Sequence, residues 1–312
     1  MDTSLKNHFL TTLIVFGLFG CGAIGTQHDY KTIQTQYENN HTSHYRALQK
    51  TPQLLFKSSF NGDIEIQHKK YTTIISGKDS LTGFTWPNDL PGKNSRNIFN
   101  FIVNDSKNLT DYVDAKIVTI NQEQKKALHI EFKKDDPNHS ALSRVQYNLW
   151  ADQNSNSPAD RLEQIYIKYK IKLHIEQGKD TWRNMMEWRS SNEEHRWVFV
   201  LETRWNGDMQ WRLHSDYLYG GKKAKSLWWS EVNRNIEVPL DKWFELEVFW
   251  KFSSGQDGKI WIAVNGQTII ERRGPNKLTK NMRYWNPFKI YGARGTSLIT
   301  DVEIWDDIPI KK

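Results

Sequence analysis

LDKWFELEVFWKFSSGQDGKIWIAVNGQTIIERR, residues Leu240 to Arg273, is the stretch that decides the fold. Trp243, Glu245, Glu247 and Phe249 alternate with Phe244, Leu246, Val248 and Trp250, the period of two that a strand requires. A Ser-Ser-Gly-Gln-Asp-Gly turn leads into a second alternating run, in which Ile260, Ile262 and Val264 interleave with Lys259, Trp261, Ala263 and Asn265. Asn265-Gly266 then supplies a type I′ hairpin signal before a third strand at Thr268–Glu271. The reading is an antiparallel meander with aromatic residues on both faces.

Outward from this stretch the same grammar continues. Arg144, Gln146 and Asn148 alternate with Val145, Tyr147 and Leu149, and Ile165–Ile175 reads as a long half-buried strand. Asn184–Arg189 is expected to place Met185, Glu187 and Arg189 on one face, with Met186 and Trp188 on the other. Val198–Thr203 and Met209–His214 read as a pair joined by Asn206-Gly207-Asp208, with Gln210, Arg212 and His214 sharing a face. Helical periodicity is nearly absent, and Gly83–Ser95 reads as a long loop. One β-rich domain over residues 53–312 is the economical organisation, since sandwiches commonly reach ~200–250 residues.

The N-terminus points outside the cytoplasm. Phe9–Phe19 is an apolar run too short to span a bilayer, and it ends in Leu18-Phe19-Gly20-Cys21. Cys21 is the single cysteine, so no intramolecular disulfide supports the fold. That arrangement resembles the lipobox of bacterial lipoproteins. It implies a signal peptide over 1–20, lipidation at Cys21, and a bacterial cell-envelope location, with Gly22 favouring the outer membrane. Residues 21–52, rich in Asn, Gln, Thr, His and Tyr, read as a tether between a lipid anchor and the folded body. The alternative is an ordinary signal peptide.

The formal charge is +7 and the chain holds 14 tryptophans. Basic charge with aromatics suits nucleic acid, an anionic membrane surface or an anionic polysaccharide. The lipoprotein address and the lack of a recognition helix or zinc knuckle argue against nucleic acid. For a sugar polymer, aromatic faces pack on apolar sugar faces while Arg or Lys pairs with carboxylate or sulfate. The competing use for the tryptophans is a large sandwich core.

A strand opening on Trp and a later one ending in Val-Asn-Gly resemble the concanavalin A-like jelly rolls of lectins, laminin-G-like domains and polysaccharide lyases. The fold expected is therefore an all-β antiparallel sandwich. Lyases of the alginate and heparin type carry an Arg-x-Glu-like strand, then Gln-x-His, then Tyr-Phe-Lys-x-Gly-x-Tyr. Here Ser143-Arg144-Val145-Gln146, Glu187-Trp188-Arg189 and Pro287-Phe288-Lys289-Ile290-Tyr291-Gly292 come in similar order. The resemblance implies β-elimination on a uronate polymer, with Arg144, Gln146 and Arg189 at the carboxylate, Tyr291 as base or acid, and Lys289 as electrostatic support. Two departures stand out: the family's His is missing at Glu187-Trp188-Arg189, and its last Tyr falls on Ala293.

Glu187, Arg212, His214 and Tyr217 are further candidates for substrate contact. No cofactor is required by this reading. A structural Ca²⁺ held by Asp63 and Asp301 is expected from oxygen-rich turns near the two ends of the domain. The partner expected is an anionic polysaccharide, met by a monomer whose only membrane contact is its anchor. A noncatalytic carbohydrate-binding lipoprotein remains the alternative. A glycoside hydrolase pairing Glu187 with a second carboxylate ranks below both.

Overall fold

The computed structural model describes residues 51–69, 72–86, 98–102, 113–120, 125–133, 144–148, 163–176, 178, 181–190, 195–204, 206–217, 227–278, 284–285 and 288–310. The expected signal peptide, Cys21 and the expected tether up to residue 50 lie outside these, as does most of the expected loop at 83–95. Residues Pro52–Lys312 form one compact unit.

Period-two patterning produces strands almost everywhere, and the described residues contain no helix. The first sheet runs in the order β16 (Gln267–Arg273), β15 (Lys259–Val264), β14 (Trp243–Lys251), β9 (Gln164–Ile175), β19 (Gly295–Trp305), β7 (Lys126–Phe132) and β6 (Val113–Thr119). β1 (Leu54–Ser58) joins it along the later half of β19. The second sheet runs β13 (Leu227–Asn233), β12 (Met209–Tyr217), β11 (His195–Thr203), β10 (Trp182–Ser190), β18 (Phe288–Gly292), β8 (Arg144–Asn148) and β5 (Ile98–Ile102), with β17 (Tyr284–Trp285) beside β10. A small third sheet holds β2 (Glu65–Lys69), β3 (Thr72–Lys78) and β4 (Thr85–Trp86). Every ladder is antiparallel, and the chain crosses repeatedly between the two large sheets, giving an antiparallel jelly-roll sandwich.

The meander at Leu240–Arg273 forms as its pattern requires. Asn265 and Gly266 both take positive φ, 50° and 77°, the type I′ geometry that matches strand twist. The inward residues of β14 (Phe244, Leu246, Val248, Trp250) meet those of β9 (Ile165, Ile167, Tyr169, Ile171) in the core.

Across the interior the second sheet answers with aromatics. Trp250 lies 5.0 Å from Trp188 and 5.5 Å from Trp197, and Phe244 meets Trp211 edge-on at 6.0 Å. Among the buried indoles, Trp197 donates its N–H to the Asn276 carbonyl and Trp211 to that of Ile236, whereas the buried Trp250 N–H has no partner among the described residues. Trp86, Trp188, Trp197, Trp211 and Trp250 are thus core residues, whereas Trp243 is 39% exposed.

Candidate functional site

The register of the second sheet places several sequence-derived candidates at neighbouring backbone positions. Tyr291 in β18 pairs with Arg144 on one side and Asn184 on the other, and Asn184 continues through Val200 to Arg212. Tyr291, Asn184 and Arg212 thus lie in one row across the sheet, with Arg144 at the register position beside Tyr291. Two residues along, Lys289 pairs with Gln146.

β10 departs from simple alternation. A bulge between Asn184 and Met186 inserts one residue, so Met185 and Met186 are both buried in the core. Met185 therefore does not share a face with Glu187, as strict alternation had required. The phase resets after the bulge. Glu187 aligns with Val198 and His214, and Arg189 aligns with Arg196 and Asp216. Tyr217 pairs with His195, one step out of phase with His214 and Asp216, and is not brought together with them.

At the centre of this face the Tyr291 hydroxyl donates to Glu187 Oε2 at 3.0 Å. Glu187 is fully buried and Tyr291 is 8% exposed. Arg196 Nη1 stands 3.8 Å from the same carboxylate oxygen, while its Nε and Nη2 donate to Asp216 Oδ2 at 3.0 and 2.8 Å. His214 Nε2 is 3.7 Å from that Asp216 oxygen.

Burial alone would pull the Arg196 pKa down, but Glu187 foremost, and then Asp216, hold it above the ordinary arginine value. Burial likewise pushes Asp216 up, and His214 with Arg196 outweighs it, leaving the carboxyl below its usual range. Trp182, on the same strand face, packs edge-on to Tyr291 at 5.3 Å. Gly292 permits this approach: its φ is +124°, and a Cβ there would lie 2.5 Å from the Trp182 carbonyl oxygen.

The network extends sideways. Arg212 donates to Glu202 Oε2 and Ser230 Oγ, both at 3.1 Å, while Gln210 donates to Glu202 Oε1 at 2.7 Å. Arg234 in turn donates to Gln210 Oε1 at 3.0 Å. Carboxylates and guanidinium groups balance among these side chains, so Arg144, Arg189 and Lys289 make the strands they occupy net cationic.

Asp63 and Asp301 do not behave as a cation site. Asp301 Oδ2 is held by Lys125 at 2.8 Å and Lys170 at 3.2 Å, so a metal ion there would have to displace two ammonium groups. Asp63 is exposed, and among the described residues no group of three or more His, Cys, Asp or Glu gathers to hold a metal.

No protein-family model matches the sequence, and no curated protein matches it. Solved structures do. The alginate lyase Aly36B is 10% identical, with a TM-score of 0.41 over 63% of this chain and 88% of its own. The marine PL-14 alginate lyase from Aplysia kurodai is 14% identical, with a TM-score of 0.40 over 61% of this chain and 86% of its own. The endo-beta-1,4-glucuronan lyase from the fungus Trichoderma reesei is 10% identical, with a TM-score of 0.38 over 62% and 86%. The chain is similar to these proteins in fold, and they assign no residue here a role.

Arg196, Asp216 and Trp182 are the members of the site that sequence reasoning missed. Starting the strand at His195 rather than Val198 puts Arg196 in phase with Val198, Val200 and Glu202. Carrying the Gln210, Arg212, His214 alternation one step further reaches Asp216.

Proposed function

We propose that this protein is a polysaccharide lyase-like protein that acts on a uronate-containing polymer by β-elimination on the outer face of the second sheet. The observation that carries the reading is the Tyr291–Glu187 hydrogen bond, with Arg196 beside the same carboxylate and Tyr291 in register with Arg144. In such an elimination the uronate carboxylate must be neutralised, the C5 proton removed and the C4–O bond broken. Arg144, Gln146 and Arg189 supply the neutralising groups and Lys289 supports them. Tyr291 oxygen takes the C5 proton as its own proton passes to Glu187. The C–H electron pair becomes the C4=C5 double bond, and the departing oxygen takes a proton from water.

A noncatalytic carbohydrate-binding role is the second reading. It is favoured by the narrow exposure of Tyr291 and by the matching of Glu187, Asp216 and Glu202 with guanidinium partners. The Leu-Phe-Gly-Cys sequence supports placing either protein in a bacterial envelope through a lipid on Cys21. Full-length protein is incubated with alginate, glucuronan, heparin and ulvan while the ultraviolet absorbance of an unsaturated uronide is followed. A rise that Tyr291→Phe abolishes is the expected result. No rise on any polymer, with gel retardation retained, overturns the lyase reading in favour of binding.

A further inference from the structure

Arg196 stands between two carboxylates, and the sheet sets its distance from each. On β12, Asp216 lies directly opposite Arg196 in the ladder. On β10 the residue opposite Arg196 is Arg189, and Glu187 is displaced from that position by two, opposite Val198. Directly opposed residues lie ~5 Å apart across a ladder and diagonal ones ~7–8 Å. The short Asp216 side chain therefore meets the guanidinium first. Its Oδ2 accepts from Nε at 3.0 Å and from Nη2 at 2.8 Å, whereas Nη1 stops 3.8 Å from Glu187 Oε2.

That distance matters because Glu187 Oε2 accepts the Tyr291 hydroxyl at 3.0 Å. An N–H···O bond spans about 2.7–3.2 Å, so Arg196 attracts Glu187 without donating to Oε2. The attraction is strong all the same. Burial would drive Arg196 towards neutrality, and of the two acids Glu187 contributes more to keeping it charged. What opposes closure is the pair of bonds to Asp216, whose Oδ2 also has His214 Nε2 3.7 Å away. The charged groups around Glu187 are thus Tyr291 from β18, Arg196 from β11 and, beyond it on β12, Asp216 and His214. Arg189 and Lys289 lie two residues from Glu187 and Tyr291 along their own strands.

We infer that Asp216 is a positioning residue: it anchors Arg196 out of hydrogen-bond reach of Glu187, so that Oε2 remains basic enough to take the Tyr291 proton. This role rests on the elimination proposed above, in which that proton passes to Glu187 as the phenol oxygen takes the C5 proton. A guanidinium bonded directly to Oε2 would stabilise the carboxylate and weaken it as a proton acceptor. Asp216 acts only through Arg196.

Two measurements on the full chain test this, one of them independent of activity. Asp216→Asn, Glu187→Gln and the double variant are melted beside wild type in sucrose, which favours the compact state and keeps a weakened double variant folded. Each single variant leaves Arg196 one carboxylate, and in Asp216→Asn it turns to Glu187; the double variant leaves it none. The double variant is expected to lose roughly 2–4 °C more in Tm than the two single losses together. Additivity within about 1 °C overturns the inference, whether or not the protein is a lyase.

Where wild type shows elimination, Asp216→Asn is expected to lower kcat roughly tenfold with KM within about twofold. The acidic limb of its pH profile is expected to move to lower pH, because the closer guanidinium and the lost neighbouring charge both favour ionised Glu187. A fall in Tm with kcat and that limb unmoved marks Asp216 as merely structural and overturns the role. Wild type without elimination, but with the excess Tm loss, refutes the lyase reading alone and supports the anchoring of Arg196.

Discussion

Replacing Glu187 by Gln tests whether the buried carboxylate is bound to its neighbours or merely enclosed by them. The substitution keeps volume and one carbonyl oxygen, so it removes little but charge. A hydrogen bond to a charged acceptor contributes ~1.5–3 kcal/mol and a neutral one ~0.5–1.5, so the Tyr291 bond weakens by about 1 kcal/mol. Arg196, at 3.8 Å, loses a Coulombic attraction of roughly 4 kcal/mol gross at an effective dielectric of ~20.

Most of that gross attraction is offset, because Gln avoids the several kcal/mol of desolvating a buried anion. Arg196 also keeps both bonds to Asp216. The net expectation is a destabilisation of about 2 kcal/mol, read in thermal unfolding as a fall in Tm of roughly 4–8 °C for a unit of this size. Tyr291→Phe, measured alongside, should cost ~1–3 kcal/mol. The double variant should fall short of the sum by about 1 kcal/mol, because the two changes remove one shared bond. Additivity within ~0.5 kcal/mol, or a Glu187→Gln Tm within about 1 °C of wild type, refutes the reasoning.

Two other buried groups give predictions away from the site. His195 is fully buried against Ser215, and burial pulls its pKa down from 6.5 to about 4. The unfolded chain binds the proton first, so stability present above pH ~6.5 is lost as pH falls towards 4, by about 3 kcal/mol in all. His195→Gln should flatten the Tm–pH curve over that window; parallel curves for variant and wild type contradict the assignment. Arg183 is fully buried, and among the described residues its hydrogen-bond acceptors are only Ser297 Oγ and the Ala293 carbonyl; its guanidinium lies 4.4 Å over the Phe132 ring, its Nε is unbonded, and burial lowers its pKa to about 9. Arg183→Met should therefore leave Tm unchanged or raise it, since removing a charge so poorly compensated relieves ~1–4 kcal/mol; a Tm loss that Arg183→Lys restores would contradict this.

What was legible in the sequence was whatever is local. The β14–β16 meander is set by one alternation and one Asn-Gly turn, and the β11–β12 pair by Asn206-Gly207-Asp208, so both read directly from the chain. The placing of β9 between β14 and β19 joins segments roughly 70 to 140 residues apart and leaves no mark on any of them. The bulge at Met185 was invisible for a related reason. Two adjacent methionines are compatible with strict alternation, and only packing of both against the core reveals the extra residue. Arg144, Gln146 and Glu187 were singled out because they alternate within their own strands, and Tyr291 through the resemblance of its strand to a lyase motif. Arg196 and Asp216 were not, because the strands were taken to begin at Val198 and end at His214.

The position of β19 has a consequence for how this protein comes to be folded. Residues 295–305, the last of the described strands in chain order, are paired with β9 on either side of a bulge and with β7 and then β1 on the other edge. Until they emerge, β9 and β7 each lack a neighbour on one edge, and the first sheet exists only as two open halves with unpaired edges. Such edges invite aggregation and long-range pairing is slow. A nascent chain of this design stays uncommitted to its native structure until β19 has been made, and losing β19 takes a strand from the middle of the sheet.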